Sequence, residues 1–215
     1  MNLNQSHIQV GERMTDGRLR RVPRQARSRE KLAKVLAAAD RLLGEEGVEA
    51  LTTTRVAAEA GVSVGALYQY LPDRDAITEA LAEVYLARLE ELMDSFAEQA
   101  ARETWTDPVG LLVDAFAGLY RAEPGFRALW FGRSLSDGTR EADLAHKRVM
   151  ATGVHRILVA QQLLRDDYPA AVACRTAFLA ADAVLQEAFR GDGATELLEP
   201  VKTMLRAYLE QQPRP

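Results

Sequence analysis

Apolar positions recur at three- and four-residue spacing along most of the chain, and alternating strand-like runs are scarce. In 28-SREKLAKVLAAADRLLGEEG-47, Leu32, Val35, Leu36, Ala39, Leu42 and Leu43 share one helix face. Ser28 is placed to cap that helix and Gly47 to stop it. A second long pattern starts after Pro72-Asp73 and runs from residue 74 to 100. Further helical segments read as about 107–122, 124–132, 140–166, 169–190 and 194–211. Their separators are Asp107-Pro108, Pro124-Gly125, Asp137-Gly138, Tyr168-Pro169 and Gly191-Asp192-Gly193. The pattern predicts an all-α protein, with a small unit to about residue 75 and a larger bundle after it.

The run 52-TTTRVAAEAGVSVGALYQYL-71 departs from simple packing helices. Val56, Ala60, Val62, Leu67 and Tyr70 are spaced as the small core under two steeply crossed helices. Ala57 is small at the closest approach, and Gly61 suits a turn that needs positive φ. Ser63 is a candidate N-cap for the second helix. These offsets predict a helix-turn-helix, whose second helix enters a DNA major groove by its N-terminal end. Gly65 then lets the backbone approach DNA, and Thr53 and Thr54 open the first helix with hydroxyl groups. Tyr68 fits a phosphate contact, whereas Tyr70 fits core or contact equally. Arg74 opens the next helix, where a cation opposes the dipole; a phosphate there, or pairing with Asp75 or Glu59, accounts for it.

Charge sharpens the picture. The net charge is −4, yet residues 1–34 hold nine Lys/Arg against Glu12, Asp16 and Glu30, a local +6 that leaves −10 for the remainder. Such an arm, with Arg18, Arg20, Arg21, Arg24, Arg27 and Arg29, suits phosphates or a minor groove, or is a solvated tail. No apolar run reaches the roughly 18–20 residues of a bilayer span, so no membrane is expected. The N-terminus lacks a secretory apolar region, and Cys174 stands alone, which together suit the cytoplasm.

Thr53, Val56, Ala57, Ala60, Gly61, Val62, Ser63, Gly65, Leu67, Tyr68, Tyr70 and Arg74 carry a resemblance. Over about residues 28–80 the chain resembles the DNA-binding domain of TetR-type (tetracycline-repressor-like) transcriptional regulators. That family often has Phe at Leu71 and Lys at Arg74, and both replacements keep the physical role. Behind the basic arm of 1–27, the resemblance implies an N-terminal three-helix helix-turn-helix domain over 28–75. It gives 76–215 to a larger helical bundle for effector binding and dimerisation. It also implies phosphate contacts from Thr53, Tyr68, Tyr70 and Arg74, with base-edge or close-approach roles for Thr54, Arg55, Ser63, Val64, Gly65 and Ala66. Val64 and Ala66 suit thymine methyls; Arg55 could reach a guanine or face solvent.

The same resemblance implies a homodimer through the last two helices, bound to an inverted-repeat operator in double-stranded DNA, and a small-molecule effector. Independently, 170–189 is rich in Ala, and Leu197, Leu198, Val201, Leu205, Tyr208 and Leu209 recur at helical spacing. Effector-pocket candidates are Phe96, Phe116, Tyr120, Trp130, Met150 and Phe178, beside Met93, Trp105, Phe126 and Phe131. Asp182 lies on the stripe of Phe178, Leu185 and Phe189, and His146 on a face with Val149, Met150 and Ile157. Both are read as pocket-lining or as satisfied structural groups, Asp182 also as rim of the dimer seam.

No Ser/Cys–His pair, metal-spaced cluster or phosphate-binding Gly loop is present, so neither an enzyme nor a cofactor or metal is expected. The expected function is a ligand-responsive repressor released by a small apolar effector. The alternative is a helical ligand-binding or interaction protein that keeps the fold without operator binding.

Overall fold

The computed structural model describes residues 26–131, 136–190 and 195–215. Among them the chain forms α1 (Ala26–Glu46), α2 (Thr53–Glu59), α3 (Val64–Tyr68), α4 (Arg74–Ala100) and α5 (Pro108–Ala122). These are followed by α6 (Pro124–Trp130), α7 (Asp137–Ala160), α8 (Tyr168–Ala188) and α9 (Leu198–Glu210), and the described residues contain no strand. The arm through residue 25 and the Gly191-Asp192-Gly193 separator lie outside the described residues.

Packing divides the chain into two compact units. The first holds the chain up to Tyr85 together with Pro124–Thr139, and the second holds Leu86–Glu123 with Arg140–Pro215.

In the first unit, α1 buries Leu32, Val35, Leu36, Ala38, Ala39, Leu42 and Leu43, the face its sequence spacing predicts. Gly47 ends the helix at φ +82 while its amide donates to the Leu43 carbonyl at 3.0 Å. Ser28 does not cap: α1 is already helical at Ala26, so Ser28 sits within the helix. α6 packs on α1. Gly125 makes that approach possible, because a Cβ there would collide with Asp40 and with the Tyr85 hydroxyl that donates to it. Phe126 stacks on Trp130 with centroids 4.6 Å apart, and Tyr85 meets Phe126 edge-on at 5.5 Å.

α7 starts at Asp137, three residues before the predicted position, because the Ser136 hydroxyl accepts from the Thr139 amide at 3.2 Å. Asp137-Gly138 is therefore a first helical turn rather than a break.

Within the second unit, α5 starts on an Asp107 cap followed by Pro108, and α8 on an Asp167 cap followed by Pro169. α7 stops at Ala160, short of the predicted 166. Gln162 adopts φ +56, and the Leu163 amide returns to the Leu158 carbonyl at 3.0 Å, the hydrogen bond of a Schellman turn. Gln161 beside it fastens the loop after α4: its Nε2 donates to the carbonyls of Ala100 and Glu103 at 2.8 and 2.7 Å. Its Oε1 accepts from the Trp105 amide at 2.7 Å.

α8 packs on α9, which buries Leu198, Val201 and Leu205. Away from that contact, Tyr168, Val172 and Leu179 of α8 and Met204 of α9 are exposed. α8 corrects the reading of apolar runs: its mean hydropathy of 1.2 meets the requirement of a membrane span by length and composition. Asp182 on that helix is nonetheless drawn into an ion pair with Lys147 inside the unit.

Candidate nucleic-acid interface

The helix-turn-helix is assembled by three local devices. Thr52 is extended, and its hydroxyl accepts from the Arg55 amide at 3.2 Å, which caps α2 and leaves Thr53 and Thr54 in the first turn. At the far end Gly61 has φ +65, and the Val62 amide reaches back to the Ala57 carbonyl at 3.0 Å. Ser63 then caps α3, accepting from the Ala66 amide at 3.2 Å. Val56, Ala57, Leu67 and Leu71 form the buried underside. Ala60 and Val62 are half-buried at its edge.

One contact ties the two helices on their outer side. Thr53 Oγ1 and the Tyr68 hydroxyl lie 3.2 Å apart, and the Tyr68 ring is 41% exposed. Two hydroxyls from different helices therefore stand together at the surface, a geometry suited to one phosphate. Residue spacing alone offers no sign of this pairing. Gly65 is exposed with open space where a Cβ would stand, and Val64 and Ala66 flank it half-buried. Thr54 is exposed. Tyr70 is 8% exposed, so of its two readings burial favours the core position.

The arginines are arranged differently from the expectation of free donors. Arg55 is held end-on by Glu46, Nη2 to Oε1 at 2.7 Å and Nη1 to Oε2 at 3.0 Å. This hydrogen bonding holds the Glu46 carboxyl below its ordinary range and raises Arg55 above its own. Arg74 pairs with Glu49 at 3.0 Å, neither with Asp75 nor with Glu59. Glu59 instead takes Arg41 of α1 at 2.9 Å.

The effector-pocket candidates fall into separate surroundings. Trp130 belongs to the first unit, stacked on Phe126. In the second unit Phe96 is half-buried and meets Trp105 edge-on at 6.0 Å. Phe116 and Met150 are buried, and Phe178 is half-buried. Tyr120 packs edge-on against Phe189 at 5.7 Å. Burial, followed by the charges of Asp182 and Asp143, pushes its phenol well above the ordinary value.

His146 is buried with Nδ1 3.1 Å from Glu90 Oε1. Of the residues read on its face, Met150 and Ile157 are buried with it, whereas Val149 is exposed. Asp182 lies 3.0 Å from Lys147 and accepts from Gln186 at 2.9 Å. His146 and Asp182 thus have different partners, and both carry the satisfied contacts of structural polar groups.

Comparison with known proteins agrees with this geometry. Residues 35–81 match the N-terminal domain of the bacterial regulatory proteins of the tetR family, and residues 103–212 match the tetracyclin repressor-like C-terminal domain. A TetR-family transcriptional regulator from Streptomyces coelicolor has a similar fold, with TM-score 0.63 and 29% identity over 85% of this chain and 97% of that one. SmeT, solved in complex with triclosan, shares the fold at TM-score 0.59 and 20% identity, over 83% of this chain and 90% of its own. The nucleoid occlusion factor SlmA of Glaesserella parasuis is 32% identical over 95 residues. That match covers 44% of this chain and 45% of SlmA, so it spans under half of the relative's length. The two domain matches and the helix-turn-helix geometry place this chain in the TetR family of DNA-binding transcriptional regulators.

Proposed function

We propose that the protein is a ligand-responsive repressor that binds an inverted-repeat operator as a dimer and is released by a small apolar effector. The observation that carries the DNA contact is the exposed Thr53–Tyr68 hydroxyl pair across α2 and α3. Gly65 supports close backbone approach, and Thr54, Val64 and Ala66 supply the base-edge contacts, with Ser63 fixing the start of α3. The dimer seam is α8 with α9. Tyr168, Val172, Leu179 and Met204 remain exposed there. Two readers joined this way need half-sites about one turn of B-DNA apart, or a multiple of it. The effector reading draws on SmeT, a protein of similar fold solved in complex with triclosan, and on the burial of Phe116, Tyr120 and Met150 in the second unit.

The test is binding of the purified chain to duplex DNA from upstream of its own gene, by anisotropy at two salt concentrations with unrelated competitor. Tight binding that survives competitor and weakens steeply with salt is expected. Tyr68→Ala should lower affinity at least tenfold, roughly the loss of one or two charge-assisted hydrogen bonds. Wild-type affinity in that variant would remove the hydroxyl pair from the interface.

A further inference from the structure

The long cations of the helix-turn-helix face are not free. Glu46, the last residue of α1, and Glu49, in the 3-10 turn Val48–Ala50, hold Arg55 and Arg74 respectively. One four-residue segment therefore supplies carboxylates to both Arg55 and Arg74, the DNA-contact candidates beyond the arm. Gly47 lies between the two carboxylates at φ +82, a backbone that a side chain would strain, so the turn itself sets where each carboxylate stands. The geometry at Arg55 is specific. With Nη1 and Nη2 both on Glu46, the end-on fork that an arginine offers to the O6/N7 edge of guanine is taken.

We propose that Glu46 and Glu49 are specificity-setting residues: they withhold Arg55 and Arg74 from duplexes that offer nothing beyond phosphate charge. Ion pairs this exposed are weak, so a phosphate can displace either carboxylate. The displaced carboxylate then remains beside the polyanion and repels it; Glu49 is 82% exposed and has no cover from that field. Binding to arbitrary DNA is almost wholly electrostatic, so this repulsion removes a large part of it. Operator binding has further contacts, at base edges from Thr54, Val64 and Ala66, that offset the same repulsion. The carboxylates thus widen the gap between operator and non-operator DNA instead of raising affinity. This inference rests on the DNA-binding reading above.

The experiment measures binding of the full chain to a mixed-sequence duplex across a salt series, for wild type, Glu46→Gln, Glu49→Gln and Glu59→Gln. The last removes the same charge from a carboxylate paired with Arg41, which is not a candidate DNA contact. Glu49→Gln should bind about three- to tenfold tighter than wild type, with a salt slope steeper by about one. Glu59→Gln should change little. Glu46→Gln should tighten binding similarly and, in selection from randomised duplexes, enrich guanine at one position per half-site. The proposal is overturned if the two variants bind no tighter than Glu59→Gln. A wild-type chain without salt-dependent binding to any duplex would overturn the DNA-binding reading itself, and this inference with it.

Discussion

The two units differ in how deeply they bury some of their charge pairs. On the first unit, Arg41–Glu59, Arg55–Glu46 and Arg74–Glu49 are surface pairs, each side chain about half exposed or more. The second has exposed pairs such as Arg156–Asp94 as well, but others are partly buried. Lys147 sits between Asp143 and Asp182, and Lys202 is 7% exposed against Asp114 and Glu199. Arg88–Glu123 and His146–Glu90 are also partly buried. An exposed pair exchanges partners at little cost, because water and salt already screen it. A partly desolvated pair does not, because removing one member strands the other. On the proposed reading, the difference separates a surface able to trade its carboxylates for phosphates from partly buried pairs that link helices of the second unit.

The largest effect that would break this comparison is at Trp130. It stacks on Phe126 and meets Tyr85 edge-on inside the first unit, so Trp130→Ala should cost about 3–5 kcal/mol in urea unfolding. A loss below about 1 kcal/mol would mean that the ring lines open space instead. Next is Gln161→Ala, which removes three hydrogen bonds from the loop after α4 and should cost about 2 kcal/mol. Hydrogen exchange should speed up at the Trp105 amide in the same variant. Smaller still is Ser63. Ser63→Ala should lose about 1 kcal/mol of stability with its cap, while Ser63→Asp keeps a cap and places a carboxylate where DNA would lie. Stability retained and DNA binding lost in Ser63→Asp separates the capping role from the contact role.

How much of this is legible in the sequence depends on how far apart the partners lie. The helix-turn-helix is legible because its signals are local. Gly61 turns four residues after Ala57, Ser63 caps three residues before Ala66, and the apolar offsets from Val56 to Leu71 define one underside. Some local signals still mislead. Asp137-Gly138 has the composition of a turn, but the Ser136 hydroxyl makes it the first turn of α7. Gln162 takes the positive φ usually left to Gly, so no glycine marks the end of that helix. The second unit is opaque for another reason. Glu90 is 56 residues from His146, and Ala100 is 61 from Gln161. Periodicity places His146 and Asp182 on apolar faces but carries no information about which charges from other helices meet them there. A polar residue on an apolar stripe looks the same in sequence whether it waits for a ligand or already has a partner.

Asp182 tests that last distinction, with the smallest expected effect. Burial disfavours the charged form of Lys147, but the carboxylates of Asp143 and Asp182 outweigh it and hold the ammonium above its ordinary value of 10.5. A lysine raised in this way contributes stability that is fully present below pH 10.5 and is lost as pH rises through its folded value. Asp182→Asn removes one of the two carboxylates yet leaves a carbonyl to face Lys147 and leaves Asp143 in place. The cost near neutral pH should therefore be about 1 kcal/mol or less. The gap between wild type and variant should close in strong alkali, because the wild type has more of this stabilisation to lose as the lysine deprotonates. If Asp182 is a structural group of this kind, effector-induced release from DNA will be unchanged in the variant while the alkaline unfolding curve shifts. A variant that unfolds as wild type across the whole pH range but no longer responds to effector would return Asp182 to the pocket, and Lys147 with it.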